Sequence, residues 1–454
     1  LAAAKFRIVS KRTLPLYVVC VFSAVVYTGW FWYDVYHAGP VETYHRAWQA
    51  VKDNIYDPDS LVDWNQWEHK FDGEIKTLDD AVRCGKKMVR SLHDRFSTLL
   101  DPVSVGKQEN AEHGQFKGIG VSFDLLDTKE PLPDENVEEQ PAPVRGIDGY
   151  PLVATLMPGG PAEKAGIKPG DALFSIGSTS TRTTDMNKLL RVLRTGGPTF
   201  TLTVLRGGKK MPFTLSPALI PVQVVSSKKM DHNIAYIKLG NFVDLDLVAK
   251  MRAAVEQMKD ADAMILDLRK NSGGRTDLCL SVASLFLEKG TLVTIKSRIP
   301  QDGYNSTTFE LAADKVMAAS VDTNKKVSSW TVPREPCLWK DKKLAVLVDK
   351  TTASSAEMLA AALAENGRAA VFGSKTMGKG IAQTQVMLPN NVRLHITCAR
   401  YYTPKGNWLG DGGNSQANGL MPDHPVTTAA KEINTDEAND KVLQAAIQWL
   451  KTQN

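Results

Sequence analysis

Residues 349–385 read DKTTASSAEMLAAALAENGRAAVFGSKTMGKGIAQTQ, and the other segments make sense around them. A turn of small residues carrying Ser354 and Ser355 leads into an Ala/Leu-rich stretch, 356–365, that reads as a helix. Asn366-Gly367 closes it, because glycine readily adopts the left-handed conformation that ends helices. A short apolar strand follows over 369–372, then a glycine turn, then Gly378-Lys379-Gly380 and Gln383. A hydroxyl thus sits where a helix begins, and a lysine sits in a glycine-flanked loop after the next strand. In an α/β layer those two loops can lie side by side.

Two chemistries use such a layout. In one, Ser354 is a nucleophile and Lys379 its general base. A lysine titrates near about 10.4 in water, and burial among apolar groups lowers that value into a useful range. Ala, Met, Leu, Val and Phe dominate the neighbourhood. Backbone N–H groups at the start of the serine's helix, beginning with Ser355, offer half of an oxyanion hole. In the other chemistry, Gly373 to Lys379 is most of a phosphate-binding Walker A loop. That loop requires Ser or Thr directly after the lysine and then a helix. Here Gly380 follows, and 381–388 alternates like a strand. A third, plainer reading makes Ser354 a helix cap and Lys379 an exposed loop lysine.

These residues resemble the catalytic segment of the carboxyl-terminal processing proteases, also called tail-specific proteases. TASSAEMLAAAL…GRAAVFGSKTMGKGIAQ has that family's serine, glutamate, GKG lysine and glutamine at 354, 357, 379 and 383. The resemblance implies Ser354 as nucleophile, Lys379 as general base, Gln383 orienting the lysine amine, and Glu357 as structural. It runs from Asp94 to Val426 through ordered phrases: Asp94-Arg95-Phe96-Ser97, DLRKNSGG at 267–274, Thr403-Pro404-Lys405-Gly406 and Gly419-Leu420-Met421-Pro422-Asp423. On its own, a Gly-Gly turn between strand and helix is a tight connection or a nest of backbone N–H groups. The resemblance implies a glycine amide as an oxyanion donor beside Ser355, assigned here to Gly273, with Gly274 an equal candidate by eye. Asp267 and Arg269 read as a structural ion pair at a strand end. His395 and His424 have no GxSxG elbow to pair with, which leaves a Ser-His-Asp triad without support.

Between 116 and 216 the texture changes to short strands, glycine turns and one helix. Phe116-Lys117-Gly118-Ile119-Gly120-Val121 has the form of a PDZ carboxylate-binding loop. Gly118 and Gly120 let consecutive N–H groups of Gly118, Ile119, Gly120 and Val121 face a terminal carboxylate. MPGGPA at 157–162 and AGIKPGD at 165–171 complete the PDZ phrase, and a helix over 184–194 forms the other wall of the groove. The Pro-rich acidic insertion 127–144 reads as a solvated loop.

Toward the N-terminus, 41–114 carries Tyr44, Trp48, Val51, Ile55, Trp67, Phe71 and Ile75 at helical spacing, a packing core for a small bundle. Lys5, Arg7, Lys11 and Arg12 precede an uncharged, mostly apolar run over 13–33, long enough for a bilayer and ending in aromatics. That pattern predicts an uncleaved anchor with the rest exported. The formal charge of +5 over 454 residues, with 55 basic and 50 acidic residues interspersed, gives no footprint for nucleic acid. Five scattered cysteines lack CxxC spacing and predict neither a zinc site nor a disulfide framework. The stretch 296–336 is longer and more polar than the family pattern and reads as an insertion or partly ordered flap.

The expected fold is therefore α/β and α+β, multidomain. A transmembrane anchor (1–38) leads to a helical N-terminal domain (39–115) and a PDZ domain (116–216). A crotonase-like α/β serine protease core (217–430) and a terminal helix (431–454) follow. The expected function is a Ser-Lys endopeptidase acting near the carboxyl end of proteins, with no cofactor and no metal. Its expected partners are peptides with free C-termini, the membrane, and in an open case a second copy. The expected location is the periplasmic face of the cytoplasmic membrane. A catalytically silent PDZ adaptor is the alternative.

Overall fold

The computed structural model describes residues 38–123, 146–182, 186–195, 197–299, 303–410, 418–427 and 437–452. The protease core is built on a six-stranded sheet in the order Val225–Met230, Ile234–Leu239, Ala263–Asp267, Lys343–Val348, Ala370–Gly373, His424–Pro425. The first pair is antiparallel and every later pair is parallel. A parallel sheet buried on both faces needs apolar side chains pointing both ways, hence the unbroken runs AMILD and KLAVLV. Met264, Leu266, Leu344, Val346 and Val348 face the helices Leu247–Gln257, Thr276–Ser284 and Ser355–Glu365. Ile265, Ala345, Leu347 and Phe372 face the C-terminal helix Lys441–Thr452. Arg269 ties that helix down by bonding both Asp267 and Asp440, and Tyr236 donates to Asp267, so the expected strand-end pair is part of a wider network.

A second, antiparallel sheet runs Thr98–Leu100, Val392–Tyr402, Gly290–Ile299, Gly303–Leu311, Lys315–Asp322, Val327–Pro333, with Ile381–Leu388 also paired to Val392–Tyr402. The polar stretch expected as an insertion or flap is thus mostly regular strand joined by short turns; residues 300–302 lie outside the described ones. Val316, Ala318 and Ser320 share one buried face of Lys315–Asp322, and Val321 lies exposed on the other, as suits a sheet with one wet face. Helices Pro40–Asn54 and Leu78–Arg90 pack on Leu388, Val392, Leu394 and Ile396 in one shared core. The PDZ domain has its own core, including Ile119, Val153, Leu173, Leu189 and Leu202. It leaves the rest of the chain through a two-stranded ribbon in which Gly118 pairs with Ala218.

One expectation is corrected here. The transmembrane helix over 13–33 lies outside the described residues, and no described helix is long and apolar enough to cross a membrane. Even the Ala/Leu-rich helix Ser355–Glu365 has only 11 residues, about half of the ~20 a bilayer requires. The fold class is a mixed α/β protease fold carrying a PDZ domain, without a membrane helix among its described elements. The acidic insertion 127–144 also lies outside the described residues.

Candidate active site

Ser354 stands between the strand Lys343–Val348 and the helix Ser355–Glu365. The turn that delivers it is fixed from within: the Asp349 carboxylate accepts from the amides of Thr351 and Thr352 at 2.9 and 3.0 Å. Thr352 Oγ1 donates to the Leu268 carbonyl at 3.0 Å, and the Ala353 amide to the Asn271 carbonyl at 3.0 Å. The serine turn is therefore docked on the DLRKNSGG loop. Ser354 itself has φ +53° and ψ −123°. An ordinary helix cap has extended dihedrals, and a non-glycine residue held at such values stores about 1–3 kcal/mol of strain.

Gly273 lies against this turn. A Cβ there would be 2.7 Å from Ser354 Cβ and 2.9 Å from the Ser355 amide nitrogen, and its φ is +94°. Only glycine fits. The Gly273 amide donates to Asn271 Oδ1 at 2.9 Å, while Asn271 Nδ2 donates to the Leu239 carbonyl at 2.9 Å. Ser355 is buried, and its hydroxyl donates to the Gly274 carbonyl at 2.8 Å. The structure thus brings Gly273, Ser354 and the Ser355 amide together.

The lysine loop is joined to the serine turn through Glu357. This fully buried carboxylate accepts from the amides of Ser354 (2.8 Å), Gly378 (2.7 Å) and Lys379 (2.9 Å), and from the Thr376 hydroxyl. Burial pushes its pKa up, and the Thr376 and amide hydrogen bonds oppose that rise. The buried Tyr401 hydroxyl donates to the Ser354 carbonyl at 3.2 Å, closing the group from below. Lys379 Nζ lies 4.9 Å from the centre of the Phe96 ring. The Gln383 side-chain amide donates to the Phe96 carbonyl, so Gln383 and Lys379 share one neighbour from the N-terminal region. Neither the role of Phe96 nor that of Asn271 was visible in the sequence; the DRFS and DLRKNSGG phrases were the signal for both. His395, half-buried on the adjoining strand, has its pKa lowered to about 4 by burial and then by the charge of Lys379.

The Walker A alternative fails on geometry. A Cβ at Gly380 would be 2.8 Å from Trp408 Nε1 and 2.9 Å from Gly410 Cα, and Trp408 Nε1 donates to the Gly380 carbonyl. No Ser or Thr fits after the lysine, and a strand rather than a helix follows.

In the PDZ domain, Val121–Phe123 pairs antiparallel with Val153–Leu156, and Gly120 takes φ +78°. The carbonyls of Ile119 and Gly120 accept from the amides of Ala162 and Met157, both at 2.9 Å. Beside Gly118 is a cavity of about 190 Å³, lined by Phe116, Lys117, Lys107 and Arg194 among others. Arg194 Nε is buried there without a hydrogen-bond partner among the described residues, and burial lowers the guanidinium pKa.

Residues 233–426 match the model of peptidase family S41, and 152–206 match a PDZ domain. The chain is 30% identical over 393 residues to the carboxy-terminal processing protease CtpA of Bacillus subtilis, covering 84% of this chain and 74% of that protein. The chain belongs to peptidase family S41. It is a serine-type peptidase by that membership. A chloroplastic carboxyl-terminal-processing peptidase 2 of Arabidopsis thaliana is also 30% identical over 364 residues; the match spans 78% of this S41 chain and 61% of the Arabidopsis protein. Among solved structures, a photosystem II D1 C-terminal processing protease aligns with TM-score 0.51 at 21% identity, over 89% of this chain and 97% of that one. That likeness speaks for the fold alone.

Proposed function

We propose that this S41 chain is an endopeptidase with a Ser354–Lys379 dyad that cuts proteins near their carboxyl end, its PDZ domain engaging the substrate tail. One observation carries the reading: Ser354, at φ +53° and ψ −123°, is strained for a helix cap, and the buried carboxylate that accepts its amide also holds the lysine loop. A serine that only capped a helix would need neither the strain nor the shared anchor.

Neutral Lys379 takes the proton from Ser354 Oγ as the oxygen attacks the scissile carbonyl. The tetrahedral oxyanion is met by the Ser355 amide at the helix start. Gly273 joins as second donor when its amide exchanges Asn271 Oδ1 for the oxyanion. The lysine ammonium then protonates the leaving amine, and as the acyl-enzyme forms it regains its base form for the attack of water. Gln383, through Phe96, keeps the lysine arm in place. Substrate is fed by a tail paired along Val121–Phe123, its carboxylate at the amides of Gly118 to Val121 with the Arg194 cation nearby.

The test compares wild type, Ser354→Ala and Lys379→Ala on an unfolded protein with an apolar C-terminus, followed by intact mass. Fragments from wild type only, first appearing near the tail, support the reading. Turnover by Lys379→Ala would remove the dyad, and tail binding without cutting by wild type would favour the silent adaptor.

A further inference from the structure

The helical N-terminal domain holds a side-chain grouping that the protease site does not use. His45, on the helix Pro40–Asn54, and His69 and Asp72, on the turn before Ile75, converge at one point. His45 Nε2 is 2.7 Å from Asp72 Oδ1, and His69 Nδ1 is 2.9 Å from Asp72 Oδ2. One donor atom from each residue lies within 4.8 Å of the others, the one such grouping among the described residues. From this geometry we infer that His45, His69 and Asp72 form a zinc site of the two-imidazole, one-carboxylate kind.

The donor chemistry decides the ion. Two imidazole nitrogens and one carboxylate suit Zn²⁺ and are poor ligands for Ca²⁺ or Mg²⁺, which require mostly oxygen. At Zn–ligand lengths of ~2.0–2.2 Å, tetrahedral ligands stand about 3.4 Å apart. The separations seen here need only side-chain rotation to reach that value, and the His69 side chain, 69% exposed, is free to turn. Its far nitrogen, Nε2, lies 4.0 Å from Glu68 Oε1, a nearby negative charge but not a hydrogen bond. The exposed side leaves room for water as fourth ligand.

Such an ion would add a coordination clamp between two segments already joined by packing and by hydrogen bonds such as His45 to Asp72. Phe71 and Ile75, flanking Asp72, belong to the same core as Tyr44, and Tyr44 donates to the Trp67 carbonyl. That core continues into Leu388 and Leu394 of the sheet bearing Gln383. The site is thus structural and bears on the N-terminal domain. Its residues come from separate segments without a short motif, so the sequence expectation of no metal did not register them.

The test is titration of chelator-stripped, tag-free full chain with Zn²⁺ by calorimetry, with thermal unfolding in parallel. Wild type is expected to bind one Zn²⁺ per chain and to unfold at higher temperature with it. His69→Ala and Asp72→Asn are expected to weaken binding at least tenfold, on the scale of lost metal-site groups. Both are exposed enough to leave the apo fold intact, as their apo unfolding will verify. His113→Ala, an exposed imidazole elsewhere, should bind as wild type does. No saturable binding, or equal binding by wild type and both site variants, overturns the proposal.

Discussion

Glu357 organises the site at the scale of single residues. Its two oxygens accept three backbone amides and the Thr376 hydroxyl from the serine turn and the lysine loop, and the Tyr401 hydroxyl besides, and no solvent reaches it. Replacing Glu357 by Gln keeps the shape but turns an NH₂ toward groups that are already donors. Each amide left without an acceptor costs about 1–3 kcal/mol, and a displacement of the dyad by ~1 Å costs about a hundredfold in rate. Glu357→Gln should therefore lower kcat by roughly a hundredfold with unchanged far-UV circular dichroism; near-wild-type kcat would refute the linking role. Gly273→Ala tests the neighbouring contact, since its methyl would overlap Ser354 Cβ at an unfavourable φ. It should lose about 1–3 kcal/mol in denaturant unfolding and nearly all activity. The sequence marked Ser354, Lys379 and Gly273 through spacing and resemblance. It could not mark the dihedral strain at Ser354 or the Gly273–Asn271 bond, which arise only when two distant loops are pressed together.

Elements differ in how plainly the sequence announced them. Ala263–Asp267 and Lys343–Val348 were legible because burial on both faces writes continuous apolar runs. Gly303–Leu311 to Val327–Pro333 were not, because one wet face and many Ser and Thr residues blur the alternation into a polar stretch. The strand Val392–Tyr402 looked unremarkable, yet it pairs with both the Gln383-bearing strand Ile381–Leu388 and Thr98–Leu100 and holds His395 near Lys379. This imidazole titrates at about 4 in the fold against 6.5 in the unfolded chain. Below pH 6.5 the unfolded state therefore takes up the proton first, and stability falls as pH drops toward 4. Between pH 6.5 and 4.5 the loss from this group should be about 2 kcal/mol. His395→Gln should remove that part of the slope in urea titrations at the two pH values. Parallel slopes for wild type and variant would mean that His395 is not desolvated.

For the whole molecule, the distribution of cores says which parts can be taken away. The PDZ core contains no residue of the protease or N-terminal cores, whereas the N-terminal helices share theirs with the strands 388–396. The PDZ domain also departs and returns through adjacent strands, with Gly118 opposite Ala218, so a two-residue turn can close the ribbon. Replacing residues 119–217 with Asn-Gly should leave a monodisperse protein with a cooperative thermal transition. Deleting 38–100 should not: it strips Leu388, Val392, Leu394 and Ile396 of their cover, at about 1.5–3 kcal/mol for each exposed side chain, and removes Phe96 from Lys379. That protein should be recovered aggregated or without a transition, a loss comparable to the whole stability of a domain. If the N-terminal deletion folds and the PDZ excision does not, then the cores are not the units of cooperativity, and the coupling of Phe96 and Gln383 to the protease core has to be sought elsewhere.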